Sequence, residues 1–114
     1  MIWVQFVKNY LGAFAAKDIE ALDGMYADGV TLHDWAVNVK GKEEVLSVNK
    51  ALFNSTGLIS VHIQNTAYRD KYIAVEFVIV INSLVPEDST VINVVDIIEI
   101  DDFGKIKSIK AYKQ

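Results

Sequence analysis

Apolar residues recur every three or four positions at the start of the chain, at Trp3, Phe6, Tyr10 and Phe14. That spacing lines one stripe of a helix and predicts an amphipathic helix from about Ile2 to Ala16. Asp18 stands where an N-cap would open a second, shorter helix. Its apolar face reads Ile19, Leu22, Met25 and Tyr26, and Asp28-Gly29 is its expected stop. The period then falls to two. From Val30 to Trp35, Val30, Leu32 and Asp34 alternate with Thr31, His33 and Trp35, which predicts a strand with those two sets on opposite faces. A loop ending at Gly41 leads to a third helix marked by Val45, Val48, Leu52 and Phe53 and stopped by Asn54-Ser-Thr-Gly57. Four strand-like runs follow, roughly Leu58–Arg69, Tyr72–Val85, Thr90–Asp101 and Lys105–Tyr112. They are separated by turn signals at Asp70-Lys71, Pro86-Glu87-Asp88 and Asp101-Asp102-Phe103-Gly104.

Three helices followed by a long antiparallel meander predict one α+β domain over residues 1–114, with the helices on one face of the sheet. The two central strands are apolar on both faces. Ile73, Val75, Phe77 and Ile79 fall on one side; Val78, Val80, Val95 and Ile97 fall on the other. Only one face can meet the helices, so the second is expected to meet another subunit in a homodimer.

Two polar residues break this pattern. Asp96 shares a strand face with Ile92, Val94, Ile98 and Ile100, and Asn49 shares the apolar face of the third helix. An unpaired charge in an apolar interior is costly, and a carboxyl there escapes the cost by staying protonated, which makes it a hydrogen-bond donor. Asn49 in such a place implies a buried hydrogen bond. Tyr10 on the first helix and Asp34 on the first strand can converge with Asp96 if the helices cover a curved sheet. Each residue also has a plainer role open to it. Tyr10 can be a core tyrosine, Asp34 a turn former at a strand end, and Asp96 the partner of a neighbouring helix.

Composition narrows the functions these residues could serve. The 114 residues suit a single compact domain able to bury a core without staples, and the absence of cysteine excludes disulfide and thiolate chemistry. The formal net charge is −4, which makes nucleic acid a poor partner. Lys105, Lys107, Lys110 and Lys113 on the last strand read as solvated charges guarding a sheet edge. Gln5, Lys8 and Asn9 interrupt the first apolar run, which argues against a signal peptide, and Phe77–Ile81 is too short to span a membrane. A soluble, cytoplasmic protein is the expectation. His33 and His62 lie on separate strands, predicted to face outward, and give no metal-ligand spacing. No glycine-rich phosphate loop is present.

Four segments of the chain carry a resemblance: Asn9-Tyr-Leu-Gly-Ala-Phe14, Met25-Tyr-Ala-Asp-Gly-Val-Thr-Leu-His-Asp34, Asn93-Val-Val-Asp-Ile-Ile-Glu-Ile100, and Asp102-Phe-Gly-Lys-Ile-Lys-Ser-Ile-Lys-Ala-Tyr112. With the helix and strand order, they make the whole chain similar to the nuclear transport factor 2-like superfamily, including its SnoaL-like polyketide cyclases and ketosteroid isomerases. The resemblance implies a cone-shaped fold, with three helices packed on a strongly curved, mostly antiparallel sheet. It also implies catalytic positions at Tyr10 (oxyanion tyrosine), Asp34 (base) and Asp96 (protonated carboxyl). Phe14, Tyr26, Trp35, Asn49 and Phe53 would then contact substrate. The implied chemistry is proton transfer next to a ketone on a small apolar substrate, with no metal or organic cofactor. Two departures stand out: Trp35 follows the base where ketosteroid isomerases usually have proline, and Asn49 replaces a supporting tyrosine on the third helix. The alternative is a non-catalytic module of the same fold that binds a small molecule or dimerises.

Overall fold

A computed structural model describes residues 2–85 and 88–114, so the Pro86-Glu87 part of one predicted turn lies outside the described residues. The elements run α1 (Ile2–Ala15), α2 (Ile19–Met25), β1 (Tyr26–His33), β2 (Asn38–Lys40), α3 (Lys42–Ser55), β3 (Ile59–Arg69), β4 (Tyr72–Asn82), β5 (Ser89–Ile100) and β6 (Ile106–Lys113). The strands form one curved six-stranded sheet in the order β2-β1-β6-β5-β4-β3, and the helices pack on it. Every neighbouring pair is antiparallel except β1 with β6, which is parallel.

The helix ends follow from local hydrogen bonding. α1 closes with Lys17 in the left-handed region (φ +58°), its N–H donating to Phe14 O while Asp18 N–H donates to Ala13 O. A residue other than glycine in that conformation costs about 1–2 kcal/mol. The Lys17 ammonium offsets this by donating to Phe53 O at 2.8 Å and Thr56 O at 2.7 Å, capping the open end of α3. Asp18 then serves as the N-cap of α2, its Oδ1 accepting from Ala21 N–H at 3.0 Å. Gly41, at φ +104°, turns β2 into α3, a conformation that favours glycine. Glu43 and Glu44 fill the first turn of α3, where negative charge meets the positive end of the helix dipole.

The core lies between the helices and the inner sheet face. Val7 and Leu11 of α1, Leu22 of α2 and Val45 of α3 meet Ile73, Val75, Ile98, Ile106 and Ile109 of the sheet, all nearly or fully buried. The outer face residues Val78, Val80, Val95 and Ile97 are only half-buried.

Three expectations need correction. Tyr26 does not end α2 but begins β1; its helical spacing from Leu22 was fortuitous. β1 is longer than the Val30–Trp35 reading and ends at His33, because Asp34 folds the chain back on itself. The lysines of the last strand do not guard an edge, because β6 is an inner strand between β1 and β5. They are used locally instead: Lys105 Nζ donates to Gly24 O at 2.6 Å and Lys107 pairs with Glu99 at 3.2 Å. Lys113 Nζ lies 5.2 Å from the centre of the Trp35 ring.

Candidate functional site

Asp96 sits where β5 crosses the inner face, opposite Val75 of β4 and Ala111 of β6. It is only 6 % exposed. Among the described residues no side chain or amide hydrogen bonds to its carboxyl, and what remains accessible of it lines a cavity of about 320 Å³. Burial pushes its pKa from 3.8 to about 7, and the negative charge of Asp34 adds to the rise. The strand pattern places the carboxyl inside; the lack of a protein partner leaves its hydrogen-bonding capacity to whatever fills the cavity.

Tyr10 and Tyr26 meet it from the helix side and from the start of β1. Their rings are 6.4 Å apart at 64°, edge to face. Burial raises the pKa of both phenols, most strongly that of Tyr10, which also feels Tyr26 and Asp96 and shares a hydrogen bond with Tyr26. Both therefore stay neutral hydroxyls, able to donate. Asn49 completes the cluster: its Nδ2 donates to Tyr26 Oη at 2.7 Å in a buried bond. This is the hydrogen bond that an asparagine on an apolar helix face requires. The bond between the two phenols favours the proton on Tyr10, so Tyr26 Oη accepts from both Asn49 and Tyr10.

Asp34 approaches from the opposite side. His33 pairs with Lys110 in the parallel β1–β6 ladder, which puts Asp34 level with Ala111, itself the partner of Asp96. Two strand spacings, about 10 Å of backbone, separate the two aspartates, and the residue between them is small. Asp34 Oδ1 accepts from Ala36 N–H at 2.7 Å and Val37 N–H at 2.8 Å, while its own N–H donates to Val37 O. The plain turn-forming role is thus real, and it leaves Oδ2 outside these two bonds. Asp34 is half-buried and borders both the cavity and a surface recess beside it, which marks the cavity mouth.

The predicted contact residues divide. Phe14, Tyr26, Trp35 and Asn49 line the cavity. The turn at Asp34 carries Trp35 off the strand pattern and around to the mouth, not to the far face of the sheet. Phe53 is the exception: it is buried behind Phe14, ring centres 5.2 Å apart at 72°, and supports the wall without bordering the cavity. Unforeseen in the sequence were Leu52, Ile79, Ile81 and Ile92, which finish the apolar wall. The inward period of β4 and β5 contains three of them, but it does not tell core from cavity lining. His33 and His62 are exposed, and among the described residues no three His, Cys, Asp or Glu side chains cluster as a metal would need. No helix among them is long and apolar enough to cross a membrane.

This arrangement offers two neutral donors, Tyr10 and protonated Asp96, at one end of an apolar cavity, with a carboxylate at its mouth. Comparison with known proteins agrees in shape. The family model of the SnoaL-like domain matches residues 7–109. A putative SnoaL-like polyketide cyclase from Shewanella denitrificans superposes with a TM-score of 0.88 at 10% identity, over 99% of this chain and 90% of that one. An LEH-like epoxide hydrolase of M. tuberculosis gives 0.83 at 16% identity, over 95% and 79%. A protein with a ketosteroid isomerase-like fold from Catenulispora acidiphila gives 0.83 at 16%, over 93% and 82%. No protein of curated function matches the chain at a significant level.

Proposed function

The chain belongs to the SnoaL-like domain family, on the nuclear transport factor 2-like fold, and from that premise we propose that it catalyses proton transfer next to a ketone. The observation that carries this reading is the Asp96 carboxyl, buried, unpartnered by protein and half-protonated near neutral pH. A neutral carboxyl in an apolar cavity is suited to donate to an oxygen that is gaining negative charge.

In the proposed reaction, the ketone oxygen accepts hydrogen bonds from Tyr10 and protonated Asp96. Asp34 Oδ2 takes a proton from the adjacent carbon, and the C–H electron pair becomes a C=C bond. The carbonyl π pair moves to oxygen as an enolate. Asp34, now protonated, returns its proton to the same carbon or to a conjugated one, restoring the carboxylate. In the free site Tyr10 donates to Tyr26; with ketone bound its hydroxyl turns to the ketone oxygen, and Tyr26, held by Asn49, donates to Tyr10 in its place. The scheme calls for no metal or organic cofactor. It suits a cytoplasmic homodimer in which the outer sheet face around Val78 and Val95 seats a second copy.

A rival reading rests on the Asp34 turn. Since Oδ1 already serves Ala36 and Val37, Asp34 can be explained without catalysis, and the cavity would then only bind an apolar ligand. Deuterium exchange separates the two. The α-protons of α-tetralone, followed by NMR in D₂O, should exchange faster with the protein than in buffer, and Asp34→Asn should abolish the gain. Exchange no faster than buffer, or unchanged by Asp34→Asn, would leave the binding-module reading standing.

A further inference from the structure

The cavity is graded along its length, and three elements show the same gradient. On α1, Tyr10 is followed one turn later by Phe14. On α3, Asn49 is followed by Leu52. On β5, Asp96 gives way to Val94 and then Ile92, which pair with Phe77 and Ile79 of β4. Every polar side chain of the inner cluster lies at one level, and beyond it the walls are hydrocarbon. From Asp96 to Ile92 the floor runs about 13 Å at the usual strand rise.

Size sets a second limit. A volume of about 320 Å³ falls at the small end of ligand cavities. An apolar cavity of about 150 Å³ accommodates one benzene ring, so this one, roughly twice that volume, accommodates about two. That is a skeleton of one or two rings. A four-ring body would have to project past Trp35 and Asp34 into solvent. A ligand with oxygen at both ends would bury its far oxygen among Phe14, Leu52, Ile81 and Ile92, where no side chain can hydrogen bond to it.

We propose that the substrate is a one- or two-ring hydrophobic ketone whose only oxygen function sits at one end. The oxygen takes the Tyr10–Asp96 end and the hydrocarbon body lies along Leu52 and Ile92. The acidic carbon faces Asp34 across the gap left by Ala111. This rests on the proton-transfer reading above for the placement of the oxygen, and adds the size and polarity of what is bound. A multiply oxygenated polycyclic compound is excluded by the same walls.

Phenols mimic the enolate, so a phenol series tests the inference on the unaltered protein. Dissociation constants would be measured by fluorescence or NMR for phenol, β-naphthol, a naphthalene diol with its second hydroxyl on the far ring, and a four-ring phenolic steroid. β-Naphthol should bind tightest, with the far-ring diol and the four-ring phenol each weaker by about tenfold or more. Ile92→Thr, which puts a hydroxyl at the apolar end, should narrow the gap between β-naphthol and the diol severalfold. Equal or tighter binding of the diol or the four-ring phenol would overturn the inference, as would no binding of any phenol. The exchange assay tells the two failures apart. Protein-dependent exchange of α-tetralone without selectivity among phenols refutes the substrate class alone. Selectivity without exchange supports the ligand class and refutes proton transfer.

Discussion

Asp96→Asn should make the protein more stable above neutral pH and remove much of its pH dependence below it. The carboxyl is held at about 7 against 3.8 when free, a rise of roughly three units at about 1.4 kcal/mol each, or about 4 kcal/mol. Between those two values the folded protein keeps a proton that the unfolded chain releases. Stability therefore falls as pH rises from about 4 to about 7, with the full loss present above 7. Against a typical total of about 5–15 kcal/mol, that is a large share. Asparagine has nearly the same shape and no charge to desolvate, so this slope should vanish in the variant. Its amide loses hydrogen bonds on burial, a roughly constant penalty of about 1–3 kcal/mol. The two curves should cross: the variant is less stable at pH 4 and more stable at pH 8. Urea unfolding at half-unit pH steps measures both. Every other ionisable group is common to the two proteins, so its contribution cancels in the difference. Parallel curves would refute the reasoning, because they would mean that Asp96 ionises in the folded protein as readily as in the unfolded one.

Four further outcomes are expected. If neutral Asp96 is the working form, the kcat/KM of any ketone turned over should decline as pH rises through about 7; a profile flat from pH 6 to 8 would contradict this. Asp34→Asn keeps an acceptor for the Ala36 and Val37 amides but removes the charge, so the Asp96 titration followed by carboxyl NMR should move below about 7 while staying above 3.8, since burial is the larger cause. Tyr10→Phe should weaken β-naphthol binding by about 1–3 kcal/mol, read by titration, through loss of one donor to the oxyanion. Val78→Lys on the outer face should convert a dimer to a monomer of 12.7 kDa by light scattering, and a wild type that is already monomeric at every concentration would remove the dimer proposal.

Local pattern made much of this fold legible, and distance along the chain hid the rest. The alternation in β4 and β5 identified the inner face residue by residue, because a buried sheet face leaves a strict period of two. It also exposed Asp96 and, by the helical period, Asn49. β1 was misjudged at both ends. Its register with β6 shifts between Tyr26 and Thr31, so Asp28 and Gly29 interrupted the alternation just where the strand was forming. β2 spans only Asn38–Lys40, too short for any period to register. The parallel pairing of β1 with β6 has no local signature, so Lys105 and the three lysines of β6 read as edge charges. In the site, Tyr10, Asp34 and Asp96 were legible as inward polar residues. The Tyr26–Asn49 bond and the double use of Asp34 are matters of three-dimensional placement, which spacing alone does not encode.

The β1–β6 pairing joins an early strand to a late one, and this bears on when the candidate site can assemble. Asp34 is placed opposite Asp96 only through Ala111 and Lys110, residues near the end of the described chain. A nascent chain emerging from the ribosome can form α1, α2 and the β3–β4 hairpin early, since their contacts are local. The Asp34–Asp96 pair has to wait for synthesis to pass Lys113. Pairings of such wide sequence separation also slow folding, because loop closure precedes the contacts that reward it. Until β6 docks, β1 and β5 each offer an open apolar edge. β6 is thus the piece whose arrival joins the two halves of the sheet and brings Asp34 and Asp96 level with one another.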